Sequence, residues 1–281
     1  MSQPSTWRKV WEDRAREGVS DFELDRGRSP RELDLENLAE AELLDFVKPD
    51  PVEAVLDAGC GTGVNLLRLQ SRVQSIVGID YALGSLCRCK EKLRSRAAQD
   101  VRLCLASIAT LPLRNHTVDK VLCLSVLQYL GDDDVRQVFR EFVRVLNPAG
   151  VIVLHVKNSS SLYWSTLLVA KRLKGLFGKP SQLYFLRTFG WYVKELNALG
   201  CRVEDYNSFN LVTLDIMPKW LVNFLQGAEL RHHSSALLRL PFVRRHGADL
   251  KIRAVVGGER SDRAGLGELG LVTSIRHSAD Q

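Results

Sequence analysis

The sequence lacks the cysteine patterns that hold small metal-binding or redox-active folds together. Its six cysteines form no C-x-x-C pair, and no cluster of cysteine and histidine has the spacing of zinc ligands. A zinc-stapled fold and a dithiol redox motif are therefore excluded. Several cysteines fall inside apolar runs, where cysteine packs as a small hydrophobe, and this usage is typical of a reducing compartment.

Long apolar runs are also missing. No stretch reaches the roughly 20 residues that a membrane-spanning helix needs. The N-terminal residues lack the apolar segment of a signal peptide, so we expect a cytoplasmic protein. A peripheral membrane contact stays open, because residues 162–174 join aromatic residues at one end to basic residues at the other.

Acidic residues are the minority among the charges. The chain has 39 Lys and Arg against 33 Asp and Glu, which gives a formal net charge of +6. This balance suits either an anionic partner or a solvated basic surface. Nucleic acid is the less favoured partner, because no recognisable RNA-binding module is present. With 281 residues, the chain is long enough for one large α/β domain with an insertion.

From residue 53 onward, short apolar runs alternate with helical stretches. The pattern predicts strands at 55–58, 75–79, 101–105, 118–124, 151–156, 201–208 and 249–256. It predicts helices near 63–71, 82–98, 132–146, 161–178 and 189–199. Near-continuous apolar strands separated by helices indicate an α/β fold with a doubly wound, mostly parallel seven-stranded sheet that is covered on both faces.

The remaining segments suggest how the chain is organised around this sheet. Residues 1–50 read as an N-terminal helical cap, and residues 51–208 form the core. Residues 209–248 are an apolar and basic insertion that we expect to form a lid, a membrane contact or a homodimer interface. Residues 249–256 return to the sheet as its last strand, and residues 257–281 form a flexible tail.

The most informative stretch joins the first strand to the first helix of the core. It reads Asp57-Ala58-Gly59-Cys60-Gly61-Thr62-Gly63 and opens directly into a helix. Glycine suits this position because the backbone must turn sharply and approach a ligand closely. Free N–H groups at the helix start add to the binding character of the loop.

Two details, at Val64 and Asp57, distinguish this loop from a dinucleotide-binding fingerprint, and a third residue, Asp80, suits a ribose. The fingerprint needs glycine or alanine at position 64, where this chain has Val64. Asp57, two residues before the first glycine, would repel a pyrophosphate but suits a ligand that carries an ammonium group. Asp80 ends the next strand, in the place from which a carboxylate can accept hydrogen bonds from both ribose hydroxyls.

With these motifs, the chain resembles the class I S-adenosylmethionine (SAM)-dependent methyltransferases, in particular the methyltransferase type 11 or quinone-methyltransferase-like group. The resemblance spans residues 52–158 and, more loosely, extends to about 208. It implies a Rossmann-like methyltransferase fold, SAM as cofactor and S-adenosylhomocysteine as product. By the same resemblance, the cofactor-binding residues are Asp57, Gly59, Cys60, Gly61, Gly63, Asp80, Tyr81, Ser107, Ile108 and Ser125.

The chain departs from the pattern of this family at two positions. The family commonly has aspartate where this chain has Ser107, whose hydroxyl can still form a hydrogen bond at the adenine. Many relatives carry histidine at the position of Gln128, so the role of that histidine as a base is not transferred. In relatives the N-terminal segment, here with Trp7 and Trp11, often folds over the cofactor.

For the catalytic group, His155 is our candidate. It lies near the end of the fifth strand, at the carboxyl edge of the sheet where open α/β folds bind ligands. An imidazole there could take a proton from an acceptor hydroxyl or amine, and a structural histidine is the other interpretation. No metal site is expected.

We expect an enzyme that methylates oxygen or nitrogen of a small molecule, such as a lipid-linked, glycan or secondary-metabolite group. Quinone-type C-methylation and a non-catalytic SAM-binding partner protein are the alternatives.

Overall fold

The chain folds around one seven-stranded sheet. The computed structural model describes residues 9–13, 15, 43–96, 101–161, 184–209 and 243–257. The strands are β1 (Ala54–Ala58), β2 (Ser75–Asp80), β3 (Val101–Leu105), β4 (Val118–Leu124), β5 (Leu146–Lys157), β6 (Cys201–Phe209) and β7 (Asp249–Val256). They lie in the order β3-β2-β1-β4-β5-β7-β6. All neighbours are parallel except β7, which is antiparallel to both β5 and β6.

Helices cover the sheet between these strands. They are α1 (Val64–Leu69), α2 (Leu83–Ser95), α3 (Asp132–Val145), α4 (Phe189–Ala198) and α5 (Val243–His246), with a 3₁₀ turn at Leu127–Tyr129. Residues 9–13 and 43–47 are helical as well. The start of α4 is capped by Thr188, whose hydroxyl accepts a hydrogen bond from the Trp191 N–H at 3.1 Å.

Two apolar clusters hold the layers together, one on each face of the sheet. On one face, α3 buries Val135, Val138, Phe139 and Phe142 completely. On the other, α1 and α2 pack with the segment at 43–47, which places Val47 in the interior. Burying each such side chain contributes about 1.5–3 kcal/mol, so the covered sheet is the main source of stability.

The predicted doubly wound seven-stranded sheet is confirmed, and one strand, β5, differs from its prediction by more than one residue at an end. β5 begins at Leu146, five residues before the predicted Val151, because Leu146 pairs with Val118 across an irregularity in the β4–β5 register. Ala149 adopts a positive φ of 60° within this stretch. The apolar run alone did not show that the turn before it also joins the sheet.

The strand order reverses between β1 and β4, which lie side by side although β2 and β3 intervene in the chain. Open α/β sheets bind ligands outside the carboxyl ends of their strands at such a switch point. The described residues contain no helix long and apolar enough to cross a bilayer.

Several predicted features lie outside the described residues. They are most of the N-terminal cap, at 1–8 and 16–42, which includes Trp7, the helix at 162–178, most of the insertion, at 210–242, and the tail at 258–281.

Candidate active site

The glycine loop lies at this switch point, between β1 and α1. Gly59, Gly61 and Gly63 all have positive φ, at 84°, 54° and 81°. The Gly59 and Cys60 N–H groups donate to the Ile79 carbonyl at 2.7 and 3.1 Å, which ties the loop to β2. A Cβ on Gly59 would lie 2.4 Å from Val126 Cγ2. The loop can therefore keep this conformation only with glycine at position 59.

Asp80 joins three loops at the carboxyl edge of the sheet. Its Oδ2 accepts the Gly61 N–H and its Oδ1 accepts the Ala82 N–H, both at 2.9 Å. Its carbonyl oxygen accepts the Ala106 N–H from the end of β3 at 3.1 Å. The side chain is thus fixed beside the glycine loop with only 8% of the residue exposed. Tyr81, which follows it, is half-buried.

Asp57 lies at the other side of the loop and is almost completely buried, at 1% exposure. Its negative charge raises the pKa of the neighbouring Cys60 thiol. A hydrogen bond with Cys89, burial and the charges of Asp57 and Asp80 together raise the pKa of Cys60 well above its ordinary value. Cys60 therefore remains a neutral thiol and contributes packing to the loop rather than a nucleophile. In the described part of the chain, no group of three metal-ligating side chains comes together.

Ser107 and Ile108 lie in the turn after β3, next to the loop that carries Asp80. Ser107 Oγ accepts the Ala109 N–H at 3.2 Å, and its carbonyl accepts the Thr110 N–H at 3.2 Å. The Ser107 side chain is exposed and Ile108 is buried. The hydroxyl thus shapes the turn, and the adenine contact of both residues stays a prediction.

Ser125 and His155 are brought together where β4 and β5 end. Ser125 has a positive φ of 63°, a strained conformation that costs a non-glycine residue about 1–2 kcal/mol. Its N–H donates to the His155 carbonyl at 2.8 Å, and its Oγ lies 2.9 Å from His155 Nδ1. The other ring nitrogen, Nε2, faces Asp249 Oδ1 at 3.5 Å.

Charges around this histidine set its protonation. Burial lowers the pKa of His155 below its ordinary value, although Asp249 opposes that shift. Burial would in turn raise the pKa of Asp249, but Lys157 and His155 outweigh it and hold that pKa below its ordinary value. At neutral pH the site therefore contains a neutral imidazole beside an ionised carboxylate, which is the protonation state that a general base requires.

Sequence reasoning had selected Ser125 and His155 separately and had missed Asp249. Lys157 pairs directly with Asp249, and His155 with Lys251, in the antiparallel β5–β7 register. All four side chains therefore share one face of the sheet. The alternation of Asp249, Lys251 and Arg253 along the last strand was the only signal in the sequence.

Gln128 and Arg187 hold the loop that follows Ser125. The Gln128 side chain is buried and donates through Nε2 to the Ser125 carbonyl at 2.8 Å. Arg187, also buried, donates to the carbonyls of Leu127 and Leu130 at 3.0 and 2.6 Å and to Asp132 Oδ1 at 2.8 Å. Gln128 thus positions the main chain at Ser125.

The described N-terminal residues lie against the same edge. Glu12 accepts the Leu83 and Gly84 N–H groups through its two oxygens, at 2.7 and 2.9 Å, and so caps α2 just after Asp80. Trp11 packs edge-on against Tyr129, with ring centroids 5.5 Å apart. The segment therefore reaches from the loop after β2 to the loop after β4, as a cover over a ligand between them would.

Comparison with known proteins agrees with this geometry. A family model described as "Methyltransferase domain" matches residues 55–150. The malonyl-[acyl-carrier protein] O-methyltransferase of Methylovorus sp. (strain MP688) is 35% identical over 130 residues, which cover 43% of this chain and 42% of the relative. The chain thus matches less than half the length of this curated relative.

Solved structures share the fold at low sequence identity. Phosphoethanolamine N-methyltransferase 1 of Haemonchus contortus, in complex with phosphoethanolamine and S-adenosylhomocysteine, has a TM-score of 0.63 at 14% identity; the match covers 96% of this chain and 53% of that one. Magnesium protoporphyrin IX methyltransferase of Synechocystis PCC 6803, with bound S-adenosylhomocysteine, has a TM-score of 0.59 at 15% identity. The match covers 91% of this chain and 100% of that one.

Proposed function

We propose that this protein is a class I SAM-dependent methyltransferase, because residues 55–150 match the model of a methyltransferase domain, and that it transfers a methyl group from SAM to an oxygen or nitrogen atom of a small-molecule acceptor. The observation that carries the proposal is the Asp80 carboxylate, which two backbone N–H groups hold beside the three positive-φ glycines.

The charge and shape of this edge fit SAM better than a dinucleotide. The loop presents bare backbone, so a ligand can approach it closely. The carboxylates of Asp57 and Asp80 flank the loop, and they complement a cofactor that carries an ammonium and a sulfonium group. The charge of Asp57 would repel a pyrophosphate.

Each residue of the edge then has a defined task. Asp80 holds the ribose hydroxyls, since an ionised carboxylate offers about four acceptor directions. The backbone of the loop, at Gly59, Cys60, Gly61 and Gly63, makes room for the amino acid end of the cofactor. Asp57 complements the ammonium charge at that end. Tyr81 flanks the ribose.

The remaining predicted contacts reach the adenine and the reacting end. Ser107 and the Ile108 N–H meet the adenine, and Ser125 lies towards the methyl group. Bound SAM supplies an activated methyl group, so the protein mainly has to position the acceptor and receive its proton. His155 is the proposed base for that proton.

The names of the relatives support oxygen and nitrogen as acceptor atoms. They include a malonyl-[acyl-carrier protein] O-methyltransferase, whose acceptor group is carried on a protein, and a phosphoethanolamine N-methyltransferase, whose acceptor is a free small molecule. A geranyl diphosphate C-methyltransferase also shares the fold, which keeps carbon methylation as a second candidate. The Ser125–His155 pair suits an acceptor O–H or N–H group, which releases a proton when it is methylated.

Transfer of labelled methyl from SAM into a lysate of the source cell tests the proposal. Lipid-soluble, aqueous small-molecule and polymer fractions are counted separately. We expect label in one of the two small-molecule fractions with the wild-type protein and with Asp133→Ala, whose side chain is 99% exposed. Asp80→Ala should lose it.

The other outcomes are equally specific. Label in the polymer fraction would contradict the small-molecule acceptor. S-adenosylhomocysteine binding without label in any fraction would favour the non-catalytic partner protein.

A further inference from the structure

We propose that the Ser125 hydroxyl contacts the acceptor and relays its proton to His155, with Asp249 holding the imidazole, and that the acceptor atom is a hydroxyl oxygen. This inference rests on the proposed methyl transfer and assigns the path that the proton takes. It makes Ser125 the group that touches the acceptor and makes His155 and Asp249 positioning residues behind it.

The first step concerns how firmly the serine and the histidine are joined. The Ser125 N–H donates to the His155 carbonyl at 2.8 Å, while the two side chains meet at 2.9 Å. Leu124 pairs with His155 in the β4–β5 register, so the sheet itself fixes the spacing. Gln128 holds the Ser125 carbonyl from the other side. A pair fixed by main chain and side chain together is preorganised for proton transfer.

The second step concerns which nitrogen carries the proton. Nε2 faces the Asp249 carboxylate at 3.5 Å, and a lone pair there would be repelled. The neutral ring therefore carries its proton on Nε2 and presents the Nδ1 lone pair to Ser125. The Ser125 hydroxyl donates to Nδ1, which leaves its oxygen lone pairs directed away from the ring and able to accept a proton.

The third step concerns which of the two groups can touch an acceptor. Both ring nitrogens of His155 are engaged, one by Ser125 and one by Asp249. Ser125 is followed by Val126, whose side chain packs against Gly59 of the cofactor loop. The serine is thus the member of the group nearest to the place where the methyl donor binds. Its positive φ would suit glycine better, so the hydroxyl is present in spite of strain.

The chemical step balances as follows. The acceptor oxygen forms a bond to the methyl carbon as the bond from that carbon to sulfur breaks, and the electron pair of the broken bond stays on sulfur. The acceptor proton moves to Ser125 Oγ, and the proton of Ser125 moves to His155 Nδ1. The positive charge that left sulfur therefore ends on the imidazole, next to Asp249.

The charges that face the imidazole decide the pH range in which this works. Lys157 on β5 and Lys251 on β7 are positive, and Asp249 on β7 is negative. Together with burial, the two lysines lower the pKa of His155, so the ring is neutral at pH 7. The rate should fall as the pH drops through that pKa and stay level above it.

The relay also selects among acceptors. A carboxylate or a tertiary amine has no proton to lose when it is methylated, so neither would need this group. An alcohol or phenol is a poor nucleophile until its proton is removed, and a positioned base contributes about 10²–10⁴-fold to such steps. A neutral primary or secondary amine is already nucleophilic before it loses its proton, so a hydroxyl group is the acceptor that gains most from the three side chains.

The test uses Ser125→Gly, which removes the hydroxyl and suits the positive φ, so the variant should fold. Ser95→Ala, on the exposed end of α2, is the control. Nitrogen-15 NMR of His155, with S-adenosylhomocysteine added, should show the Nε2–H tautomer in the wild type. Ser125→Gly should raise the pKa of His155, since the donor to Nδ1 is lost. An Nδ1–H tautomer in the wild type would overturn the relay.

Methyl transfer into the lysate gives the second readout. At saturating SAM, so that any contact of Ser125 with the cofactor does not enter the comparison, Ser125→Gly should lower the rate at least about 100-fold and remove the fall in rate at low pH. A wild-type rate and pH profile in this variant would overturn the relay, whereas no label with the wild type would overturn the methyl transfer itself. Labelled methanol released from the product by mild alkali would reveal a methyl ester and contradict the hydroxyl acceptor; an ether stays intact.

Discussion

Alanine at Gly59 should damage the cofactor loop far more than alanine at another positive-φ glycine. Gly59 and Gly200 have similar φ values of 84° and 76°. A Cβ on Gly200 would meet nothing within 4 Å, whereas a Cβ on Gly59 would lie 2.4 Å from Val126 Cγ2. The pair therefore separates backbone strain, which both variants share, from the steric clash, which only one has.

The magnitudes follow from these two terms. Positive φ costs an alanine about 1–2 kcal/mol at either position. Overpacking against Val126, whose branched side chain has few other rotamers, adds typically about 1–3 kcal/mol. Gly59→Ala should therefore lower the free energy of unfolding by about 2–5 kcal/mol, and Gly200→Ala by about 1–2 kcal/mol.

Cofactor affinity provides the functional readout of the same pair. The clash moves either the loop or Val126, so S-adenosylhomocysteine should bind at least about tenfold more weakly to Gly59→Ala, a loss of about 1.4 kcal/mol. Gly200→Ala should bind it like the wild type. Urea denaturation gives the stabilities, and calorimetry below the unfolding transition gives the affinities. Equal losses in the two variants, or wild-type affinity in Gly59→Ala, would refute the role assigned to the loop.

Three further variants test other parts of the structure. Asp80→Asn turns one acceptor oxygen into an N–H donor that faces a backbone N–H. The affinity for S-adenosylhomocysteine, measured by calorimetry, should fall at least about tenfold. An unchanged affinity would show that Asp80 is not part of the cofactor site. Phe139→Ala should lower the free energy of unfolding by about 3–5 kcal/mol in urea, and a loss below about 1 kcal/mol would contradict the packing of α3. The folded protein holds the pKa of Asp249 below its ordinary value, so the ionised carboxylate stabilises the fold. This stabilisation is complete above the unfolded-state pKa of about 3.9 and is lost as the pH falls through the pKa of the folded state. The difference in melting temperature between the wild type and Asp249→Asn should therefore shrink from pH 7 to pH 3, and a constant difference would argue against the ionised carboxylate.

Local patterns in the sequence were sufficient to predict the sheet and the loop. The strand at Val55–Ala58 is apolar except for Asp57 and is followed at once by glycines at alternate positions, and no distant contact is needed to recognise that arrangement. The helical stripe that includes Phe139 is equally local, because helix periodicity alone selects its buried side. These predictions are confirmed in the fold.

Groups that depend on strand register could not be predicted. Asp249 reaches His155 because β7 runs antiparallel to β5 in one particular register, and a shift by one residue would point its side chain to the other face. The positive φ of Ser125 has no signature in the sequence, since serine is not the residue that usually adopts it.

Caps and anchors from distant segments were missed for the same reason. Glu12 caps α2 from a segment 71 residues away, and nothing in its surrounding sequence indicates that partner. Arg187 lies just before α4, and nothing in its surrounding sequence indicates that it is buried and donates to carbonyls in the loop after β4. Both contacts depend on how segments that are distant in the sequence pack against the edge of the sheet.

The most direct test of the central claim compares two ligands on the wild-type protein. Calorimetry with S-adenosylhomocysteine and with NAD asks which cofactor the edge formed by the glycine loop and Asp80 accepts. We expect one S-adenosylhomocysteine per chain, bound more tightly than NAD. Tighter binding of NAD, or no binding of S-adenosylhomocysteine, would contradict the assignment of this edge as a SAM site.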